Sequence, residues 1–409
     1  MILAVAAAAQ EVPRALFPPP QPVPEAVTPP SPATAIKVED LTPPESTALG
    51  LADAEADLGG PLWAKGAPPD LPGLLARLPA SITEPTLAGL QRSLLAAPMP
   101  TDSGADALFL LRLDRLLAMG EAATTLQLLA QVPEGTKGPE LEARRLQARF
   151  AAGQVEPACA AANAPMVADA PWPEARIVCA ALAGDMPSVE LGLDLLDSGD
   201  AAPAPVLAGL ARAAVAGGRF SLPAPVPHDP LLLPLLRSVP LDLDEAALAS
   251  LSVPARRTIA ENAGVAAASR AAVLMRRAGP SVRPELNGTA PADWMGAMAG
   301  VSLEKATHWL ALADGLGLDV PEPVWRELAR SAPPDSDPPP DLLLWRGFER
   351  ARLQDQRGGM LLYTLLLLNG RPEAVAPVTL RRALDALLAL GLERDARALA
   401  AGTGGALGL

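Results

Sequence analysis

The chain has 409 residues, half of them apolar, and a formal net charge of −13. This charge argues against binding to nucleic acid or to anionic lipid, because both need a clustered basic surface. Aromatic residues make up only 3% of the chain, and the apolar residues are mostly Ala and Leu, which favour helices over strands.

The N-terminal residues have the pattern of a secretory signal. Residues 1–9 form an apolar run that ends in small residues, as before a signal-peptide cleavage site, although no basic residue precedes it. We expect an exported protein; the alternative is an unstructured, Ala-rich cytosolic N-terminus. No other stretch reaches the roughly 20 apolar residues that a membrane span needs.

A proline-rich acidic segment follows at residues 10–58. It contains eight acids and two bases, and its proline runs cannot continue a helix, so the composition predicts a disordered, extended tether. The alternative is a proline-motif ligand for an aromatic groove on another protein. Residues 59–104 are predicted to form N-terminal capping helices.

Residues 105–220 contain an internal repeat. Gly120, Gly153 and Gly184 are spaced by 33 and 31 residues, and each separates two amphipathic stretches. Glycine at such a junction suits a helix C-cap, where the backbone becomes left-handed. A fourth unit begins on period around Gly217 and then loses the pattern. The spacing predicts helix–turn–helix units.

An arginine precedes each of the three repeat glycines by eight residues. These residues, Arg112, Arg145 and Arg176, form the arginine column. We expect the column to lie on one exposed face, where it either pairs with local acids or binds the carboxylates of a partner peptide. The three arginines are the candidate partner-binding residues. In the fourth unit the same position holds Gly209.

The period and the helix–turn–helix pattern of residues 105–220 resemble tetratricopeptide repeats. The resemblance implies an all-α fold, namely a right-handed α-solenoid in which neighbouring helix pairs stack and offer a long binding surface.

The chain as a whole is similar to a group of exported alphaproteobacterial helical-repeat proteins. The shared features are the signal, the Pro-rich leader, the segment DLGGPLW at 57–63, the helical hairpins and an Ala/Leu-rich C-terminal half. Some members of the group carry the label antifreeze glycopeptide polyprotein. This sequence has no Ala-Ala-Thr array of the kind that defines antifreeze glycopeptides.

The second half of the chain is predicted to be helical with less regularity. Residues 221–330 form an irregular helical-repeat region, residues 331–340 a Pro-rich loop, and residues 341–409 the C-terminal helices.

Cys159 and Cys179 are the only cysteines of the chain. The repeat places them on neighbouring antiparallel helices, where they should face each other, and an oxidising compartment would allow a disulfide. The alternative is two buried thiols that never bond.

The sequence predicts no catalytic residue, no metal site and no cofactor. His228 and His308 are the only histidines, and no zinc, calcium or nucleotide-binding motif occurs. The tryptophans of the C-terminal half are expected to anchor the core, with an aromatic-lined groove as the alternative.

These observations predict a non-enzymatic protein–protein interaction scaffold of the periplasm or cell envelope, without nucleic acid and without an integral membrane span. One alternative is a helical cell-wall-acting enzyme of the lytic type, with a Glu as general acid. The single tyrosine, Tyr363, makes a sugar-binding cleft unattractive. The other alternative is a structural protein with no specific partner.

Overall fold

The helices follow the Ala- and Leu-rich stretches of the sequence, and the breaks between them fall mainly at Gly and Pro. The computed structural model describes residues 49–82, 84–100, 105–133, 138–164, 173–198, 205–227, 229–275, 302–318, 320, 322, 324 and 341–407. All of them belong to one compact unit, Pro43–Leu409. The predicted signal remnant, most of the predicted tether, the Pro-rich loop at 331–340 and His228 lie outside the described residues.

The all-α class is confirmed. Within the described residues the chain forms nineteen helices. The first ten are α1 (Ala52–Asp57), α2 (Leu71–Ala76), α3 (Pro85–Ala96), α4 (Ala105–Met119), α5 (Ala122–Ala130), α6 (Pro139–Ala151), α7 (Val155–Ala162), α8 (Pro173–Ala183), α9 (Met186–Asp197) and α10 (Pro205–Ala216). The other nine are α11 (Leu233–Ser238), α12 (Glu245–Ser250), α13 (Val253–Glu261), α14 (Ala267–Met275), α15 (Leu303–Gly315), α16 (Leu342–Leu353), α17 (Arg357–Leu368), α18 (Pro377–Ala389) and α19 (Glu393–Leu407).

The three repeat glycines form the predicted turns. Gly120, Gly153 and Gly184 have φ values of +81°, +76° and +76°, the left-handed conformation that favours glycine. Each turn also has the same bond from the amide after the glycine to a carbonyl five residues earlier, as in Glu121 N–H to Leu116 O (2.9 Å). The hairpins α4–α5, α6–α7 and α8–α9 therefore have one common junction.

The first hydrophobic core joins helices that are far apart in the sequence. It contains buried leucines of α2–α5 together with those of α16–α19. Helix α3 packs against α17 and α19, and α2 packs against α17. Helix α15 lies beside α18 and α19. The C-terminal helices therefore complete a core that the N-terminal helices begin.

The second core is built from neighbouring elements, from Leu146 in α6 to Val265 after α13. It includes two short parallel strands, β1 (Phe220–Ser221) and β2 (Leu241–Asp242). Their pairing places the segment after α10 beside the segment after α11. These strands begin at the boundary between the predicted repeats 105–220 and the irregular region 221–330, and the prediction of helices alone did not include them.

The predicted tether extended too far along the chain. Residues 52–57 form α1, and the flanking Leu49 and Leu58 are buried in the first core. Asp53, Glu55 and Asp57 therefore belong to a short packed helix and not to an extended leader. Among the described residues no helix is long and apolar enough to cross a membrane.

Candidate functional site

Arg112 of α4 lies in the protein interior, where its side chain is 0% exposed. Its Nε and Nη2 donate to the carbonyl oxygens of Leu95 and Ala97, both at 2.8 Å, at the C-terminal end of α3. Its Nη1 donates to the carbonyl oxygen of Leu49 (2.9 Å). The prediction of an exposed arginine column is therefore wrong at this position. The planar guanidinium instead fits three converging carbonyls that have no helical donor.

Arg112 is a buried cation, and no carboxylate of the described residues forms an ion pair with it. Burial lowers the pKa of Arg112 to about 9, so the side chain stays protonated at neutral pH. The C-terminal end of α3 carries partial negative charge that favours a cation, and the ring centroid of Phe109 lies 5.7 Å from the guanidinium carbon. These contacts offset part of the cost of removing the charge from water.

The other two column arginines also contact the end of the preceding helix. Arg145 of α6 reaches the carbonyl oxygen of Leu129 in α5 (3.5 Å) and forms an ion pair with Glu142. Arg176 of α8 donates from Nε to the carbonyl oxygen of Ala162 in α7 (3.0 Å). Their guanidinium groups are less buried than that of Arg112, and a partner-binding role for these two stays a prediction.

The fourth unit lacks the arginine because another side chain occupies its place. A Cβ atom on Gly209 would lie 2.2 Å from a ring carbon of Phe220. Phe220 belongs to β1, so a side chain at this repeat position would force its ring out of the contact between α10 and the strand segment. The arginine column therefore ends where the second core changes from helical hairpins to the strand pair.

Two further arginines join segments that are distant in sequence. Arg357 at the start of α17 donates from Nη2 to the carbonyl oxygens of Leu58 (3.0 Å) and Leu390 (2.9 Å), which end α1 and α18. Arg257 of α13 donates to the carbonyl oxygen of Gly120 (3.1 Å). Neither residue stands in a repeat column, so no sequence signal pointed to these contacts.

The two cysteines are at disulfide distance. The Sγ atoms of Cys159 in α7 and Cys179 in α8 are 2.02 Å apart, and the Cα atoms are 5.6 Å apart. The antiparallel arrangement predicted for these helices therefore brings the pair together. The link connects two consecutive hairpins across residues 165–172, which are outside the described part of the chain.

His308 is a packing residue. It is buried in α15, its Nδ1 lies 2.9 Å from the carbonyl oxygen of Glu304, and its Nε2 lies 3.3 Å from that of Val375. Trp309 and Trp345 are half-buried; Trp309 packs against a small cluster with Val320 and Val324, and Trp345 lies beside Phe348 of its own helix. Both nitrogens of His308 face backbone carbonyls, so neither is directed at an open cleft.

One cavity of about 200 Å³ lies between α4, α6 and the segment that leads into α11, and its lining includes Asp114, Asp229 and Ser252. Burial raises the pKa of Asp229, as expected for a general acid. Each of the three polar residues is nevertheless engaged. Asp114 pairs with Arg144, and Asp229 and Ser252 cap the backbone at 231 and 255. Among the described residues no group of His, Cys, Asp or Glu could hold a metal ion.

The outer face of α9 is apolar and acidic. Leu191 and Leu195, one helical turn apart, are each 62% exposed, while the opposite side of the helix is buried through Val189 and its neighbours. Asp194 and Asp197 are exposed on the same helix. Asp194 interacts electrostatically with Arg212, but among the described residues neither aspartate has a cation within ion-pair distance. We call the exposed side of α9 that carries Leu191, Asp194 and Leu195, with Asp197 at its edge, the α9 face.

The outer face of α16 is apolar and basic. Leu342, Leu343 and Leu353 are 74%, 78% and 78% exposed. Arg346 and Arg350 are exposed between them, and within the described part of the chain neither has an ion-pair partner. We call these five residues the α16 face. Leucines at outward positions of an otherwise amphipathic helix are the sequence signal that could have indicated both faces.

The comparisons with known proteins give no match. No protein-family model matches the chain, and no curated protein or solved structure is significantly similar to it.

Proposed function

We propose that this chain is a non-enzymatic protein–protein interaction scaffold of the periplasm or cell envelope, and that it binds a partner through the α9 face. The observation that carries the proposal is the exposed pair Leu191 and Leu195. Both belong to a helix whose inner side is fully packed, so the pair contributes nothing visible to either core.

The chemistry of the α9 face favours a protein partner. Single exposed leucines are ordinary on a protein surface, but a pair at i and i+4 forms a continuous apolar ridge. The flanking Asp194 and Asp197 would direct a partner that carries basic residues around an apolar centre. Arg212, which interacts electrostatically with Asp194, forms its ion pair with Glu190 at 2.7 Å.

The lytic-enzyme alternative gains no support from the cavity or from His308. A general acid needs a cleft in which its proton can reach a substrate. In the cavity, Asp114, Asp229 and Ser252 already accept hydrogen bonds from Arg144 and from the backbone at 231 and 255. The scaffold therefore remains the better interpretation of the geometry.

The right-handed solenoid is part of the same proposal. Three observations support stacked hairpins: the common glycine turn, the contacts of α4 with α6 and of α7 with α8, and the arginines that reach the end of the preceding helix. A stack of this kind displays outer helix faces such as that of α9.

Export is also proposed. The cysteine pair at bonding distance supports an oxidising compartment, since cytosolic thiols are usually kept reduced. Fractionation of cells that make the protein naturally would test this point, and recovery only in the cytosol would contradict it.

The binding role can be tested by site-specific photo-crosslinking in those cells. A photoreactive amino acid at Leu191 is expected to give a discrete protein adduct. The same group at Glu156, an exposed position on α7, serves as the matched control. Leu195→Ser in the chain labelled at 191 should remove the adduct without changing the far-UV circular dichroism. Equal labelling from positions 191 and 156 would contradict a specific site.

A further inference from the structure

The α9 face and the α16 face are complementary in both apolar surface and charge. Each presents leucines that no described residue covers. The α9 face adds two carboxylates, Asp194 and Asp197, and the α16 face adds two guanidinium groups, Arg346 and Arg350. Of the six large apolar side chains most exposed in the described residues, five belong to these two faces.

The two faces do not cover each other within one chain. Helix α9 packs on α8 and α10 and contributes to the second core. Helix α16 packs mainly on α17 and contributes to the first core. Both outer faces are exposed at the same time, so a contact between them requires two molecules.

We propose that the partner of the α9 face is the α16 face of a second copy of this chain. This inference rests on the proposed function, because it uses the same α9 face and names its partner. The leucines of the two helices would pack side by side, with Asp194 and Asp197 opposite Arg346 and Arg350. Opposite charges that have no ion-pair partner among the described residues of one chain become paired in the assembly.

The symmetry of such a contact determines how the assembly grows. The two surfaces differ, so the contact is heterologous, and every added copy leaves one free face of each kind at the ends. The assembly therefore lengthens with concentration unless the rotation between copies closes a ring. A single helix face on each side is small, which places the contact among weak, concentration-dependent interfaces below about 1,200 Å².

The net charge of −13 opposes association at low ionic strength. Repulsion between whole chains is screened beyond about 8 Å at physiological salt, whereas residues that face each other directly are much closer. We therefore expect association at physiological salt and weaker association at low salt, the reverse of a contact between two oppositely charged proteins.

Sedimentation velocity of the full chain over a wide concentration range tests the proposal. The wild type should show a weight-average mass that rises with concentration. Asp194→Arg with Asp197→Arg, and separately Arg346→Asp with Arg350→Asp, should each weaken association by about tenfold or more. An equimolar mixture of the two double variants should regain it, because each reversed face then meets a complementary one.

A matched control keeps net charge separate from the site. Glu156→Arg with Glu261→Arg makes the same change in net charge as the two Asp→Arg substitutions, but at exposed positions on α7 and α13, and it should associate at least as well as the wild type. Circular dichroism and thermal unfolding establish that each variant is folded, and all four charge reversals lie on exposed positions.

A wild type that stays monomeric throughout overturns the proposal. So does association that neither reversal weakens, or variants whose mixture stays monomeric. In all of these cases a crosslinked adduct to a different protein from position 191 would leave the proposed function intact. If position 191 gives no crosslinked adduct and the chain still self-associates through another surface, both the proposed function and this inference are overturned.

Discussion

Substitution of Arg112 by Ala tests whether the hydrogen bonds and packing of the buried guanidinium outweigh the cost of removing its charge from water. The change leaves three carbonyls without a donor, at about 1–3 kcal/mol each, and opens a void worth about 3 kcal/mol. Against this, burial of the cation costs about 5 kcal/mol, the equivalent of lowering its pKa from 12.5 to about 9. With about 2 kcal/mol for each carbonyl, the balance is a loss of about 4 kcal/mol in the free energy of unfolding.

Urea-induced unfolding followed by circular dichroism measures this difference, provided that the slope of the free energy against urea stays constant. Arg176→Ala is the matched control, because Arg176 stands in the same column, is exposed and makes one hydrogen bond at 3.0 Å. It should cost about 1 kcal/mol or less. If Arg112→Ala costs no more than Arg176→Ala, the three carbonyl contacts do not outweigh the desolvation of the charge, and the reasoning is refuted.

Three further predictions concern the disulfide, two glycines and Glu84, whose carboxylate caps α3 by accepting a hydrogen bond from the amide of Leu87 (2.6 Å). Reduction of the bond between Cys159 and Cys179, which closes a loop with a sequence separation of 20, should lower the free energy of unfolding by about 3 kcal/mol; a double Ala variant that responds to reductant equally would contradict this. Gly184→Ala should cost about 1–2 kcal/mol from its left-handed backbone alone, since nothing lies within 4 Å of the added methyl. Gly209→Ala should cost clearly more, because the aromatic ring of β1 must move, and equal melting temperatures of the two variants would be inconsistent with that contact. Burial raises the pKa of Glu84 above 4.5, so the folded state favours the protonated carboxyl. The contribution of this group to the free energy of unfolding is therefore lost as the pH rises through the raised pKa. Glu84→Gln should remove this dependence and stabilise the protein at neutral pH, measured as the variant-minus-wild-type difference in unfolding free energy at several pH values; a difference that is constant with pH would exclude the effect.

The local features of the fold were predictable from the sequence. Helix ends followed from Gly and from capping residues: the left-handed turns at Gly120, Gly153 and Gly184 are where the spacing placed them. Ser302 caps α15 through the amide of Lys305 (3.4 Å), and Asp341 caps α16. Such contacts depend on residues that are close in sequence, so a pattern of a few positions determines them.

The long-range features were not predictable. The arginine column was recognised, but not the burial of Arg112, because a period shows that positions are equivalent and not which way their side chains point. Arg357 closes on Leu58 and Leu390, and no spacing relates three residues so far apart. The packing of α17 against α2 and α3 was also not predictable, because Leu-rich faces can pack on one another in many combinations.

The composition of the first core has a consequence for biosynthesis. Leu94 and Leu95 of α3 are fully buried in a core that also needs α17 and α19. A nascent chain exposes these leucines until nearly all of the polypeptide has been made. The second core can form earlier, because its helices follow one another closely in the sequence. Ribosome-bound intermediates should therefore recruit holding chaperones through their early helices, and fragments that stop before residue 341 should aggregate or be degraded.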